Sequence, residues 1–182
     1  VMAAALGHAL SQMHDLPARP SDDPAIAPVV VDKAGTAAWA AAVVAQIEKA
    51  CAVIEARKEW SNDEDRLRAE RIVRHRGRLE QEVTRLAAAG VGSLETRIHG
   101  DFHLGQVLIS QSDVFIVDFE GEPSRSLVER RAKASRFRDV AGLLRSFDYV
   151  AKVAARTELR GESTDARKQA FIEKFREVAH DT

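Results

Sequence analysis

The chain has 182 residues, 45% of them hydrophobic and 30% charged, with a formal net charge of −1. That length suits one domain or slightly more, with a real buried core, and a near-zero charge of mixed sign, as in Glu129-Arg130-Arg131, excludes the electrostatic footprint of a nucleic-acid binder. A single cysteine, Cys51, excludes an internal disulfide and points to a reducing, cytoplasmic setting; no apolar run approaches the ~20 residues that cross a bilayer, so no membrane is expected. The first residues lack the basic n-region and long apolar core of a secretion signal, and Val1 is no initiator, so a longer parent protein is expected.

Residues 1–16 carry Met2, Leu6, Ala9, Met13 and Leu16 at helical spacing, and Pro17 and Pro20 stop that helix. Residues 17–35 hold four of the five prolines and read as an extended loop. Thr36 is the expected cap of a second helix with Trp39, Val43, Ile47, Cys51 and Ile54 on one face. Trp60-Ser61-Asn62-Asp63 marks a break. A third helix is expected to run on to about Ala89 with Leu67, Ile72, Leu79, Val83 and Leu86 inward, ended by Gly90 and Gly92. The period then changes. Arg97-Ile98 reads as a short strand. Val107-Leu108-Ile109 and Val114-Phe115-Ile116-Val117, joined by Ser110-Gln111-Ser112-Asp113, read as a β-hairpin. An irregular stretch with Gly121 and Pro123 follows. A fourth helix is expected from about Ser135, burying Phe137, Val140, Leu143, Leu144 and Phe147, and a last one with Phe171, Phe175 and Val178 on one face. The fold class is therefore mainly α with a small β-hairpin, an α+β arrangement.

The segment His99-Gly100-Asp101-Phe102-His103-Leu104-Gly105-Gln106, followed by the hairpin and then Asp118-Phe119-Glu120, carries the chemistry. In phosphotransferases of protein-kinase-like fold, one Asp accepts the proton of the acceptor hydroxyl. A polar residue five positions later and a second Asp beyond the next strands hold the metal that bridges the nucleotide phosphates. Those positions are Asp101, Gln106 and Asp118. The hairpin accounts for their convergence, because Gln106 starts its first strand and Asp118 ends its second. Taken singly, Asp101 also reads as a solvated loop carboxylate and Asp118 as a strand-end turn residue; the joint pattern is what separates them from those readings. His99 and His103 have the i, i+4 spacing of a zinc helix, but Gly100 and the flanking strands argue against a helix. His99 is expected to bond the backbone near Asp118, and His103 to neighbour Asp101 in the site.

The run His99–Leu108 resembles the catalytic loop of aminoglycoside-phosphotransferase-like kinases, and more narrowly that of bacterial maltokinases, in which Gln replaces the usual Asn. Asp118-Phe119-Glu120-Gly121-Glu122-Pro123, Glu129-Arg130-Arg131 and the run from Arg138 to Tyr149 resemble further segments of that family, as does the loop from Asp22 to Pro28. The resemblance implies that residues 1–182 are the C-terminal catalytic lobe of a sugar kinase whose N-terminal ATP-clamping lobe lies outside this chain. It implies ATP- and Mg²⁺-dependent conversion of maltose to maltose 1-phosphate, with a trehalose synthase as a frequent fusion partner. By the same resemblance Asp101 and His103 are catalytic, Gln106 and Asp118 hold the nucleotide through its metal, Glu120 is an added metal carboxylate, and Arg138 and Asp139 brace the catalytic loop. Ser126 and Arg136-Phe137 stand where that family has prolines, and the ten glycines never form G-x-G-x-x-G. The alternatives are an amino-sugar or aminoglycoside kinase of the same fold, or a kinase-like lobe that binds without catalysis.

Overall fold

The computed structural model describes residues 2–111, 113–156, 173 and 177. In chain order its elements are α1 (Met2–Asp15), β1 (Val29–Val30), α2 (Lys33–Ala56), α3 (Asp63–Arg74), α4 (Arg76–Ala88), β2 (Leu94–Thr96), a 3₁₀ turn (Leu104–Gln106), β3 (Val107–Ser110), β4 (Asp113–Ile116), α5 (Leu127–Arg131), β5 (Ala134–Ser135) and α6 (Phe137–Arg156). The fold is mainly helical with a little β-structure, as the periodicity indicates. The expected helix around Phe171, Phe175 and Val178 lies outside the described residues. The chain divides into two compact units, one of residues 1–29 and 94–182 and the other of residues 30–93.

In the larger unit, β3 and β4 pair antiparallel with Val107 opposite Ile116 and Ser110 opposite Asp113. Gln111, in the connecting turn, takes φ 50°, a left-handed conformation that closes tight hairpins. Val107, Val114 and Ile116 put their side chains against a core of Leu6, Leu10, Phe102, Leu143 and Phe147. Leu6, Leu10 and His14 recur every four residues and form the buried face of α1. Leu16, expected on that face, is exposed because the helix ends at Asp15. On α6 the buried stripe is Asp139, Leu143, Phe147 and Ala151, again at spacings of four. Phe137 was expected in this stripe but is exposed, since it precedes Asp139 by only two residues and so points elsewhere. Both stripes thus carry one buried polar residue among apolar ones.

Two glycines of this unit answer to geometry. Gly100, just before Asp101, has φ +84°, which a side chain would disfavour. Gly142 on α6 lies so close to the Phe102 carbonyl oxygen that a β-carbon would collide with it. Gly142→Ala is therefore expected to push α6 off the loop and lower stability by about 1–3 kcal/mol, read as a shift in the urea midpoint. An unchanged midpoint would show that the contact is slack.

Several local readings are corrected. The strand expected at Arg97-Ile98 lies at Leu94–Thr96 and pairs antiparallel with Ala134–Ser135, where the fourth helix was expected to begin. Ser135 pairs opposite Glu95 in that ladder, so α6 starts only at Phe137. The stretch after Pro123 is not wholly irregular. Ser126 accepts from the Glu129 N–H, and the Glu129 side chain accepts from the Ser126 N–H, a capping box that starts α5. The Ser126 hydroxyl also donates to Glu129 Oε2 at 2.7 Å, and that bond first, then the one from the Ser126 N–H, holds the Glu129 carboxyl below its ordinary range. Ser126 therefore does at this helix start what a proline would do by fixing φ.

In the smaller unit, α2 packs along α4 and α3. Its cap is Asp32, whose carboxylate accepts from the Gly35 N–H at 2.8 Å, and not Thr36. Thr36 is instead buried one turn in, its hydroxyl bonded to the Lys33 carbonyl. The buried residues of α2 are Thr36, Ala40 and Cys51, and Val43 is exposed. By length and composition α2 would also suffice to cross a bilayer, which corrects the expectation that no apolar stretch reaches that length; a core helix of a soluble protein passes the same test. The expected single helix from Asp63 to Ala89 is broken at His75, which leaves the helical region (φ −97°, ψ 6°) shortly before the weak helix former Gly77. The break rotates the register, so Leu67, Ile72, Leu79 and Leu86 are exposed and Ala69 is buried. Asn62 caps α3 by accepting from the Asp65 N–H at 2.8 Å, where the sequence signals a break.

Candidate active site

The loop that bears Asp101 is held from beneath by a buried carboxylate. Asp139, 1% exposed, accepts the N–H of His99 and the N–H of Gly100, both at 2.9 Å. It also accepts from His14 Nε2 at 3.0 Å, across 125 residues of sequence. Burial works to raise its pKa, but the hydrogen bonds from His14, Gly100 and His99 outweigh that and hold the carboxyl below its ordinary 3.8. Arg138 donates to the Gly100 carbonyl at 3.1 Å. Burial and then Arg125 lower its pKa, and the carboxylates of Asp139, Glu122 and Asp101 oppose this. Every polar group of the Gly100 backbone thus has a partner on α6, which fixes where the next residue, Asp101, begins.

His99 ties the same loop to the hairpin. Its Nε2–H donates to the Val117 carbonyl at 2.8 Å, and its Nδ1 faces the Asp101 N–H at 3.4 Å. Its ring lies 5.0 Å from that of Phe119, centroid to centroid. Asp118 follows Val117 and has φ 66°, a left-handed conformation unusual outside glycine, of the kind that persists where the surroundings over-determine it.

Gln106 and Asp118 come together as the hairpin requires. The Val117 N–H bonds the Gln106 carbonyl at 3.0 Å, and Gln106 Nε2 lies 2.9 Å from Asp118 Oδ2. His103 Nδ1 accepts the Gly105 N–H at 3.0 Å, so the proton of a neutral ring sits on Nε2. That Nε2 faces Gln106 Nε2 at 3.5 Å, donor against donor. Turning the amide over relieves this and gives His103 an acceptor, but it sets the amide oxygen beside the Asp118 carboxylate. In the recorded orientation the amide N–H satisfies Asp118; in the turned one the two oxygens are held together only by a proton or a cation. The donor set, one carboxylate and one amide oxygen, suits Mg²⁺, which binds through one or two protein groups and fills its shell with water and phosphate oxygens. Glu120 does not join them visibly: it is exposed, and no three His, Cys, Asp or Glu side chains gather as metal ligands among the described residues.

Asp101 and His103 also line an open cleft of about 370 Å³ with Phe102, Glu122, Gly142, Arg145, Ser146 and Tyr149. His103 therefore links the cleft to the Gln106–Asp118 pair. Ser146 accepts the Leu104 N–H at 3.1 Å and donates to the Leu143 carbonyl at 2.7 Å, pinning the loop to the cleft wall. Four of these residues lie in segments singled out by sequence but without a place in the site. Glu122, Arg145, Ser146 and Tyr149 belong to no spacing rule that points at Asp101. His14 left a trace, a polar residue one turn beyond Leu6 and Leu10 on an apolar face.

The comparisons with known proteins fit this architecture. Residues 1–121 match the model of the phosphotransferase enzyme family. A glucosamine kinase from Streptacidiphilus jiangxiensis is 31% identical over 156 residues, which is 83% of this chain and 31% of that protein. The chain thus spans under a third of its relative's length. A crystal structure of glucosamine kinase superposes with a TM-score of 0.75 at 26% identity, over 98% of this chain and 39% of the other. A second, in complex with glucosamine, ADP and inorganic phosphate, gives 0.74 at 26% identity, over 98% and 40%.

These findings correct the narrower resemblance. The similar proteins are glucosamine kinases, so the maltokinase identity, the trehalose synthase fusion and maltose as acceptor are set aside. The physical reason lies in which residues carried that resemblance. Gln106 and Asp118 pair with each other, and Arg138 and Asp139 turn to the loop backbone. Residues engaged with one another and with the loop backbone report nothing of the acceptor. With its kinase-like lobe, its braced loop and a family match over residues 1–121, this chain belongs to the phosphotransferase enzyme family.

Proposed function

We propose that this chain is the catalytic lobe of an ATP-dependent amino-sugar kinase of the glucosamine kinase type. The observation that carries the reading is that Asp101 and His103 line one cleft, while Gln106 lies 3.5 Å from His103 and 2.9 Å from Asp118. In this reading Asp101 accepts the proton of a sugar hydroxyl as that oxygen meets the γ-phosphoryl group. His103 orients the Gln106 amide. Gln106 and Asp118 hold Mg²⁺, which when bound neutralises charge on the phosphates. Asp139, Arg138 and His14 keep the loop where Asp101 meets the acceptor, because a small displacement of a reacting group costs a large factor in rate. A phosphate-clamping lobe is supplied from outside residues 1–182. A buried free thiol at Cys51 and the use of ATP fit a cytoplasmic setting.

The test is acceptor-dependent ADP release by the full-length protein, with glucosamine, other amino sugars, aminoglycosides and glucose compared. Glucosamine is expected to support Mg²⁺-dependent turnover; silence with every amino sugar overturns the reading. Asp118→Asn keeps a short side chain that tolerates the left-handed backbone. It is expected to raise the KM for Mg·ATP at least about tenfold and to lower kcat, since an anion facing the metal is lost. Unchanged nucleotide kinetics would remove Asp118 from the metal.

A further inference from the structure

We infer that Glu122 is the residue that reads the amino group of the acceptor, and so separates amino sugars from neutral ones. The inference rests on the kinase reading of the cleft and adds to it. Two carboxylates line that cleft, Asp101 and Glu122, against one cationic side chain, Arg145. Asp101 is committed to the hydroxyl proton. Glu122 is not placed to take that proton, its charge also supports Arg138 beneath the loop, and its place is fixed by its surroundings. Gly121 before it turns with φ +77°. The Ser124 hydroxyl donates to Glu122 Oε1 at 3.0 Å, and the Arg125 N–H donates to the Glu122 carbonyl at 3.0 Å. The Ser124 bond occupies one carboxylate oxygen and leaves Oε2 without a protein donor among the bonds that fix this turn. A half-buried carboxylate held on a cleft wall, one oxygen already engaged, is suited to an ammonium group, which has three donors and no acceptor. A hydroxyl in the same place gains much less, because its hydrogen bond to the carboxylate carries no opposite charge. Tyr149, exposed on the same wall, carries no charge that would choose between the two.

The experiment compares kcat/KM for glucosamine and glucose, which differ at a single amino-for-hydroxyl position, in the full-length protein and its Glu122→Gln variant. Glu122→Gln is expected to cut kcat/KM for glucosamine roughly tenfold to hundredfold, mostly through KM, and to leave the glucose value and the KM for ATP near those of the wild type. The preference for the amino sugar then collapses. Ser124→Ala is expected to shift it the same way by a smaller factor. If the wild type turns over glucosamine and Glu122→Gln retains its preference, or loses both sugars alike, Glu122 is not the amine reader while the kinase reading stands. If the wild type turns over no amino sugar, both fall together.

Discussion

Asp101→Asn in the full-length protein is expected to lower kcat by about 10²–10⁴-fold, the range that a positioned general base supplies. The substitution is nearly isosteric. Its backbone start is set by Gly100, whose N–H and carbonyl are held by Asp139 and Arg138, so the loop should keep its course. The pair proposed to hold the metal, Gln106 and Asp118, is untouched. The KM for ATP should therefore stay within about twofold, a split that separates loss of the proton acceptor from loss of nucleotide binding. Initial rates of ADP release at saturating acceptor, with ATP varied, give both numbers. Full turnover in this variant would show that Asp101 accepts no proton.

Asp139→Ala should be the most damaging change to the fold, with a loss of about 3–5 kcal/mol, as when one partner of a buried charged pair is deleted. It leaves the N–H groups of His99 and Gly100 and the His14 Nε2–H facing a void at the base of the catalytic loop. His14→Ala should cost less, since Asp139 then keeps two donors. The effect has a pH signature. The Asp139 carboxyl titrates below its ordinary 3.8 in the folded chain, so it contributes stability above the unfolded value and loses that contribution as pH falls through the folded one. Wild type and Asp139→Ala should thus differ most above about pH 4 and converge in more acid solution. Urea midpoints from pH 7 downward test this. Equal midpoints at neutral pH would show that the carboxylate does not hold the loop.

Much of this molecule is legible locally. The hairpin follows from two β-branched runs of matching length around a short polar turn, and its register brings Gln106 to Val117 and Asp118 without tertiary help. The end of α1 follows from Pro17, and the start of α3 from Asn62. Other local signals were outweighed. Thr36 is a good cap, yet Asp32 caps α2 and Thr36 is buried, because a free carboxylate three residues before the Gly35 N–H satisfies the helix start better. The apolar residues of α3 and α4 suit one continuous helix face, but a single non-helical residue, His75, rotates that face away.

The sequence by itself determined the hairpin and the mainly helical fold class, and it singled out three polar residues, Asp101, Gln106 and Asp118, at the spacing expected of a phosphotransferase. Those residues lie within eighteen positions of one another, where backbone geometry is set by neighbours and turn type. Only the tertiary structure decided what holds them and what they face. His14 and Asp139 meet across 125 residues, and the cleft draws Asp101, Glu122, Arg145 and Tyr149 from a loop, a turn and a helix. No periodicity links such positions. Their proximity is fixed by how α1 and α6 bury their apolar stripes, a long-range packing that no local motif encodes.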